Sequence, residues 1–449
     1  MAKLAFPENF KWGTATASYQ IEGGAKQDGR GESIWDRFCE MRGNVLNGDT
    51  GETAADHYNR YKEDVALMKE LGYKAYRFSI SWSRVLPAGH GEISEKGLDF
   101  YSNLVDELLA NGIEPFATIY HWDLPQAIQD AGGWQNEATI EYFVEYCRIL
   151  YRKLGGRVKN WITLNEPYCT AMLGNFTGDH APGIRDLGTA LRVSYNVLRA
   201  HGAAVRLFRE MKMEGEIGIT INVTPTVPAS GREQDKTAAR LQDGFDNRWF
   251  LDPVLKGTFP ADMIELFKNR GITLPDFKEA ASICEKLDFL GINFYFSNTM
   301  RHNENAWPLC AEAANDGGAY ASYTDRNWPI DPNALRDILI RIHKEYDAPK
   351  IYITENGASY NDIVNVNGEI KDYSRIDYLH RHFEAIHSAI GSGADIRGYF
   401  LWSFLDNFEW AFGYSSRFGI VFIDFETQKR TPKQSAYWHR DVIKNNGIS

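Results

Sequence analysis

A chain of 449 residues with a formal net charge of −11 has little attraction for nucleic acid or for an anionic membrane, so neither is an expected partner. Hydrophobic residues make up 43% of the sequence, enough for a large core, but no apolar run reaches the roughly 18 residues of a membrane span. The N-terminal segment lacks the apolar stretch of a signal peptide, which favours a cytoplasmic location. Five widely spaced cysteines without a C-x-x-C pair predict free thiols.

Apolar strands alternate with amphipathic helices from one end of the chain to the other. The first strand is followed by residues 28–59, which are rich in Gly, Asn and Asp and are predicted to be a loop. Strands are predicted at residues 10–18, 75–82, 116–120, 161–165, 217–222, 289–295, 351–354 and 398–403. Helical spacing predicts helices at 58–71, 98–109, 139–154 and 191–211, around 241 and 263, and at 335–342 and 376–390.

This alternation predicts an α/β fold. Each strand is a near-continuous apolar run, as expected when both faces of a parallel sheet are buried. Eight such strands predict a single (β/α)8 TIM barrel, and the alternative is an open doubly wound sheet. No Pro-rich or Gly/Ser linker and no shift in composition interrupts the chain, so residues 1–449 are predicted to form one domain.

Two of the strands end in a glutamate. Residues 351–354 are followed by Glu355, and residues 161–165 are followed by Glu166. An acidic side chain at the end of a buried strand is costly unless nearby groups use its charge. Because the carboxyl ends of barrel strands meet at one face, we expect the two carboxylates to share a pocket. Two facing carboxylates are the equipment needed to cleave a glycosidic bond.

Polar and aromatic side chains recur where the other strands end. Each alone is more simply explained by packing, but buried polar groups that gather at one face need partners. Amide, imidazole and carboxyl groups can bind sugar hydroxyls, and indoles can pack against the apolar face of a sugar ring. The residues concerned are Gln20, Arg77, His121, Trp122, Asn165, Asn293, Tyr295, Trp402, Glu409 and Trp410.

Other chemistries find little support in the sequence. His380, Glu384 and His387 share a predicted helix face, but a solvated outer face explains them more simply than a metal site. The glycine pairs at 89–91 and 391–393 lack the third glycine and the strand–helix context of a nucleotide-binding loop. The G-x-S-x-G motif of a serine nucleophile is missing. We therefore predict neither a metal nor a cofactor.

The motifs at the strand ends resemble those of glycoside hydrolase family 1, in particular its bacterial β-glucosidases. Residues 10–23 are similar to the N-terminal signature of that family. The sequence Thr-Leu-Asn-Glu-Pro at 163–167 matches its acid/base motif, and Ile-Thr-Glu-Asn-Gly at 353–357 matches its nucleophile motif. Phe-Glu-Trp at 408–410 matches its sugar-binding loop. The resemblance extends from residue 6 to about residue 438.

The resemblance implies a role for each of these residues. Glu355 would attack the anomeric carbon, and Glu166 would protonate the leaving oxygen and then activate water. Arg77, Asn293 and Tyr295 complete the implied catalytic group. The implied sugar-binding residues are Gln20, His121, Trp122, Asn165, Tyr295, Trp402, Glu409 and Trp410. The implied lining of the outer, aglycone part of the cleft is Cys169, Leu173, His180, Trp328 and Phe412.

The implied reaction is a retaining double displacement on small β-glycosides. Its two carboxylates should lie roughly 5–5.5 Å apart. Arg77 should favour the ionised form of Glu355, and that charge should raise the pKa of Glu166. The expected substrates carry a terminal non-reducing β-D-glucosyl residue, and also β-galactosyl or β-fucosyl, on cello-oligosaccharides and aryl or alkyl glucosides. A homo-oligomer is compatible with the sequence.

Two alternatives stay open. A 6-phospho-β-glucosidase would share the fold but carry small residues in place of Glu409 and Trp410. The carboxylate of Glu409 would repel a phosphate group. A catalytically inactive sugar-binding relative would be expected to have lost one of the two glutamates.

The chain also departs from the family pattern at positions that bear on aglycone preference and local packing. These positions are Tyr195, Asn196, Phe294, Phe296 and Asn327.

Overall fold

The computed structural model describes residues 3–314 and 322–448, and its central element is a closed barrel of eight parallel strands. Each strand pairs with the next along the chain, and the last pairs with the first. The strands are β1 Lys11–Ala15, β2 Ala75–Ser79, β3 Glu114–Tyr120, β4 Asn160–Asn165, β5 Glu216–Asn222, β6 Phe289–Asn293, β7 Ile351–Asn356 and β8 Ile396–Trp402. The predicted (β/α)8 barrel is confirmed, and the open sheet is excluded.

Long helices follow the barrel strands and cover the sheet. Their apolar residues recur every three or four positions, as Phe143, Cys147, Leu150 and Leu154 do on the third helix, and this stripe is buried. The helices are α1 His57–Glu70, α2 Glu95–Ala110, α3 Ala138–Leu154, α4 Leu187–Glu210, α5 Ala261–Asn269, α6 Pro332–Tyr346, α7 Tyr373–Gly391 and α8 Gln434–Asn445. In the described residues no helix is long and apolar enough to cross a membrane.

Shorter elements lie in the loops and at the chain ends. The additional helical segments are Ser18–Ile21, Ile34–Glu40, Leu46–Gly48, Trp82–Val85, Gln126–Asp130, Gly133–Gln135, Cys169–Thr177, Glu233–Asp243, Gly244–Arg248, Trp249–Lys256, Phe277–Ser282 and Trp410–Phe412. Three small sheets are formed by Leu4–Ala5 with Gly447–Ile448, by Thr226–Pro228 with Asn298–His302 and Ala311–Ala313, and by Val421–Asp424 with Lys429–Pro432.

The prediction of a loop over residues 28–59 was wrong in part, because Ile34–Glu40 is a helix. Its first turn is closed by a reciprocal pair of hydrogen bonds. The Ser33 hydroxyl accepts from the Asp36 backbone N–H, and the Asp36 carboxylate accepts from the Ser33 N–H. The surrounding Gly and Asn residues had concealed this helix start.

Aromatic side chains fill the lower part of the barrel interior. The Phe116 ring lies 4.7 Å from that of Phe400 and 5.5 Å from that of Tyr352, measured between ring centroids. Gly13 makes room for this layer, since a Cβ atom there would lie only 2.4 Å from the Phe400 ring. The packed bottom leaves the carboxyl ends of the strands as the open end of the barrel.

A buried network of charges ties together the loops that follow β7 and β8. The Lys433 ammonium contacts Asp406 at 2.7 Å and Asp362 at 2.5 Å, and all three side chains are fully buried or nearly so. Arg375 pairs with Asp362 at 2.8 Å, and Arg417 pairs with Asp406 at 2.6 Å. Because every charge has an opposite partner, the network fixes both loops without leaving an isolated buried ion.

Candidate active site

A cleft of about 330 Å³ opens at the carboxyl ends of the barrel strands. Most of the residues expected from the sequence line it. These are His121, Trp122, Glu166, Cys169, Leu173, His180, Asn293, Tyr295, Trp328, Glu355, Trp402, Glu409, Trp410 and Phe412. Gln20, Arg77 and Asn165 are buried behind the wall and bond to the residues that form it. The structure therefore brings all the expected site residues to one place.

Glu355, the residue before the last one of β7, accepts hydrogen bonds from two donors. The Arg77 guanidinium donates to its Oε1 at 2.6 Å, and the Tyr295 hydroxyl donates to its Oε2 at 2.6 Å. Arg77 is itself fixed, because its second Nη group donates to the Asn165 side-chain oxygen at 2.5 Å. Glu355 is only 3% exposed. A buried carboxylate with a cation and a hydroxyl aimed at it is held in one orientation.

Glu166, directly after β4, has a different environment. Its Oε1 accepts from the Asn293 amide at 2.6 Å, and its Oε2 lies 3.0 Å from the Cys169 sulfur. No lysine or arginine of the described residues pairs with it at ion-pair distance. The two glutamates are nevertheless linked, because the Asn165 oxygen accepts from both Arg77 and Asn293.

The different surroundings separate the protonation of the two carboxyls. Burial, followed by the charge of Glu355, raises the pKa of Glu166 to about 7. Burial also raises the pKa of Glu355, but the Arg77 guanidinium and the Tyr295 hydroxyl oppose that rise. Glu166 therefore keeps its proton to a higher pH than Glu355. This order gives one group suited to act as an acid and one suited to act as a nucleophile.

A bell-shaped dependence of kcat/KM on pH is expected from this pair. The rate should fall about tenfold per pH unit above pH 7, because Glu166 then lacks the proton that the leaving group needs. It should also fall on the acid side, where Glu355 becomes protonated and cannot attack. Initial rates on a β-glucoside from pH 4 to 9 measure both limbs. A flat profile over that range would contradict the assignment.

The inner end of the cleft is built for a polar ring-shaped ligand. The Gln20 amide donates to the Glu409 carboxyl at 3.2 Å and to the Asn407 side chain at 3.0 Å. The oxygen of the same amide, Gln20 Oε1, is buried and has no hydrogen-bond partner among the described residues. The indole of Trp410 lies against that of Trp122, with ring centroids 4.6 Å apart. Polar groups beside indole faces suit a sugar.

His121 is held neutral at this end of the cleft. Burial, and then the positive charge of Arg77, lowers the pKa of His121 well below its ordinary value. Because the Asn165 oxygen already accepts two bonds, its amide nitrogen is the group that donates to His121 Nε2 at 3.0 Å. The ring proton then lies on Nδ1, which is buried without a partner among the described residues. The imidazole ring lies parallel to that of Trp402, 5.9 Å away.

The backbone is strained at three residues of the cleft. Trp122, Glu166 and Trp410 have φ angles of 75°, 45° and 51°, in the left-handed region that non-glycine residues rarely adopt. Such conformations persist only where the surroundings enforce them, and they concentrate at functional sites.

Several residues of the outer cleft were missed by the sequence analysis. Asn222 closes β5 and could have been found as another polar strand end, but the others come from segments without such a signal. Burial raises the pKa of Asp246 to about 7, and the Gln242 amide donates to both of its oxygens. The Arg326 guanidinium lies over the Phe412 ring. The remaining missed residues are Tyr168, Val223, Thr224, Asn298 and Phe418. Phe296, one of the departures from the family pattern, also lines the cleft.

Candidate metal ligands do not gather in residues 3–314 or 322–448. No group of three or more His, Cys, Asp or Glu side chains there is arranged to hold an ion. His380 and Glu384 approach each other at 3.9 Å on α7, and both side chains are partly exposed.

Known proteins match the whole chain. Residues 2–448 match the family described as Glycosyl hydrolase family 1. Beta-glucosidase A of Acetivibrio thermocellus is 48% identical, with 100% of both chains covered. The 1,4-beta-D-glucan glucohydrolase of Thermotoga neapolitana is 46% identical over 99% of both chains. Aryl-phospho-beta-D-glucosidase BglC of Bacillus subtilis is 41% identical, over 99% of this chain and 98% of the relative.

Solved structures agree with the sequence comparison. The family 1 b-glucosidase from Thermotoga maritima in complex with isofagomine lactam superposes with a TM-score of 0.96 and is 48% identical, with 100% of both chains covered. The two structures therefore share their fold over the full length of both chains. This chain belongs to glycosyl hydrolase family 1.

Proposed function

We propose that this chain is a retaining β-glucosidase that releases terminal β-D-glucosyl residues. The observation that carries this proposal is the unequal environment of the two glutamates. Glu355 is hydrogen-bonded to Arg77 and Tyr295, whereas Glu166 has no ion-pair partner within residues 3–314 and 322–448 and has a pKa raised to about 7. A charged carboxylate beside a protonated one is what the two halves of a double displacement require.

The first step joins the sugar to the enzyme. A Glu355 carboxylate oxygen forms a bond to the anomeric carbon as the bond to the leaving oxygen breaks, and Glu166 gives its proton to that oxygen. The negative charge of Glu355 is lost in the ester, so the main charge that raises the pKa of Glu166 disappears. Glu166 is then ready to take a proton from water, which attacks the anomeric carbon and frees Glu355.

The inner cleft supports recognition of a glucosyl ring. Glu409 and Gln20 offer a carboxyl and an amide to hydroxyls at one end, and Asn165 and His121 offer polar atoms nearer the glutamates. Trp402 supplies an apolar surface, and it is 3% exposed. We infer that β-galactosides and β-fucosides are accepted as well, because these groups can bond to hydroxyls in more than one orientation.

The outer cleft supports a second sugar as leaving group. Its wall includes Asn222, whose buried side-chain oxygen has no partner among the described residues, together with Gln242 and Asn298. Trp328 and Phe412 line the same region with aromatic surface. We therefore infer that cello-oligosaccharides and aryl glucosides are both accepted, which is compatible with a role in cellulose degradation.

A 6-phospho-β-glucosidase is the second candidate. Arg326 lies in the cleft and bonds to Ser416 at 3.3 Å, so a cation is available to a phosphate group. Burial raises the pKa of Glu409 to about 8, so repulsion of phosphate by this carboxyl is weaker near neutral pH than a bare carboxylate would give. Against this candidate, Glu409 and Trp410 line the cleft, whereas the resemblance implies small residues at these positions in a 6-phospho-β-glucosidase.

Hydrolysis of 4-nitrophenyl β-D-glucoside and of its 6-phosphate separates the two candidates. We expect kcat/KM to be at least about 100-fold higher on the free glucoside, because Glu409 and Trp410 stand where a 6-phospho-β-glucosidase is expected to carry small residues. Arg326→Met should leave the preference unchanged. Faster hydrolysis of the phosphate, abolished by Arg326→Met, would establish the second candidate in place of the first.

We also infer that the whole chain acts as one catalytic domain. Arg77, Asn165, Asn293 and Glu355 come from strands spread between residues 75 and 356, and their side chains bond to one another directly. A cytoplasmic location and a homo-oligomer stay predictions from the sequence.

A further inference from the structure

Among the described residues, the Cys169 thiol is the one hydrogen-bond partner of the Oε2 atom of Glu166. Cys169 follows Glu166 by three positions and begins the helical segment Cys169–Thr177. Its backbone N–H donates to the Glu166 carbonyl at 2.9 Å, which closes a turn and brings the sulfur to 3.0 Å from Oε2. Cys169 is 7% exposed and lines the cleft.

The carboxyl of Glu166 is therefore held from two sides. Asn293, at the end of β6, bonds to Oε1, and Cys169 bonds to Oε2. The charged groups that face Glu166 are Glu355 from β7 and Arg77 from β2, with Glu409 farther along the cleft. In the part of the chain that the structure describes, no cation or hydroxyl group bonds to Oε2 beside the thiol.

The thiol is suited to donate a hydrogen bond and not to act as a nucleophile. Burial, and then the charge of Glu166, raises the pKa of the Cys169 thiol well above its ordinary value. The sulfur therefore keeps its hydrogen throughout the working pH range, whereas reactive cysteines have a lowered pKa. A protonated thiol can donate weakly to a carboxylate oxygen.

We propose that Cys169 is a positioning residue for Glu166, which aims the carboxyl at the leaving oxygen and stabilises its charged form. The thiol uses one lone pair of Oε2, and Asn293 uses one lone pair of Oε1. The remaining lone pair of each oxygen stays open to the proton that is transferred. The stabilisation matters after the first step, when Glu166 must serve as a base. This inference rests on the proposed function, in which Glu166 is the acid and the base.

The test compares Cys169→Ala, Cys169→Ser and the parent by the pH dependence of kcat/KM on 4-nitrophenyl β-D-glucoside. Loss of a donor to the charged form should raise the pKa of Glu166 and move the alkaline limb up by about half to one pH unit in Cys169→Ala. The serine hydroxyl should return the limb to the parent position. Cys147→Ala, which removes a buried thiol from α3, is the matched control and should leave the limb unchanged.

A readout without turnover keeps this test separate from that of the proposed function. NMR titration of ¹³C-glutamate-labelled protein measures the pKa of Glu166 directly in each variant. The Glu166 signal is assigned by its loss in Glu166→Gln. An upward shift in Cys169→Ala alone supports the proposal even if the parent hydrolyses no glucoside. An unchanged pKa in Cys169→Ala, an equal shift in Cys169→Ser, or an equal shift in Cys147→Ala overturns it.

Discussion

Replacement of Glu355 by glutamine is expected to lower kcat/KM by at least about 10⁴-fold, the scale seen when a nucleophile is removed from an enzyme. The amide cannot form the ester with the anomeric carbon, and it leaves the Arg77 guanidinium without its carboxylate partner. The side chain keeps its shape, so the barrel should still fold. Hydrolysis of 4-nitrophenyl β-D-glucoside, with circular dichroism to check folding, measures the effect.

The matched control is Glu384→Gln, which makes the same replacement of a carboxylate by an amide at a partly exposed glutamate on α7. We expect this variant to retain the activity of the parent. If Glu355→Gln folded and kept activity within tenfold of the parent, Glu355 would not be the nucleophile.

Replacement of Glu166 by glutamine is expected to affect substrates according to their leaving groups. A poor leaving group needs a proton, so kcat/KM on cellobiose should fall by about 10²–10⁴-fold, the usual contribution of general acid catalysis. A 2,4-dinitrophenyl leaving group needs no proton, so its first step should be nearly unaffected. The second step still lacks its base, and the glycosyl-enzyme should accumulate.

Stopped-flow measurement of dinitrophenolate release gives both quantities. A burst equal to the enzyme concentration, followed by slow turnover, is the expected result in Glu166→Gln. The fall in rate that begins near pH 7 should also disappear, since the group that titrates there has been removed. An equal loss of rate on both substrates, without a burst, would contradict the acid/base role of Glu166.

The barrel was predictable because its strands are buried on both faces and so read as continuous apolar runs. Their ends were less predictable, since distant side chains decide them. The strand predicted at 75–82 ends at Ser79. Beyond it, two tyrosine hydroxyls form hydrogen bonds with backbone groups that would otherwise be free to pair with a neighbouring strand. The Tyr146 hydroxyl donates to the Ile80 carbonyl, and the Ser81 N–H donates to the Tyr101 hydroxyl. Neither contact has a local signal.

The inner cleft was likewise predictable, since its residues stand at strand ends and in motifs of the family. The outer cleft was not. Gln242 and Asp246 reach it from helical segments after β5, where nothing local distinguishes them from surface residues. The left-handed backbone at Trp122 and Glu166 could not be foreseen either, because neither residue type favours that region.

Cys169 illustrates the limit of a motif. The resemblance to the family implied only that it lines the aglycone region. Its contact with Glu166 depends on the turn that follows β4, in which Glu166 takes a φ of 45° and the chain folds back on itself. Sequence spacing of three residues is compatible with such a contact but does not require it.

The stereochemistry of the first product tests the central claim most directly. Proton NMR of a reaction with 4-nitrophenyl β-D-glucoside distinguishes the two anomers of glucose before mutarotation mixes them. A double displacement through Glu355 predicts that β-glucose appears first and α-glucose only later. If α-glucose appeared first, water would be attacking the sugar directly, and the roles given to Glu355 and Glu166 would be wrong.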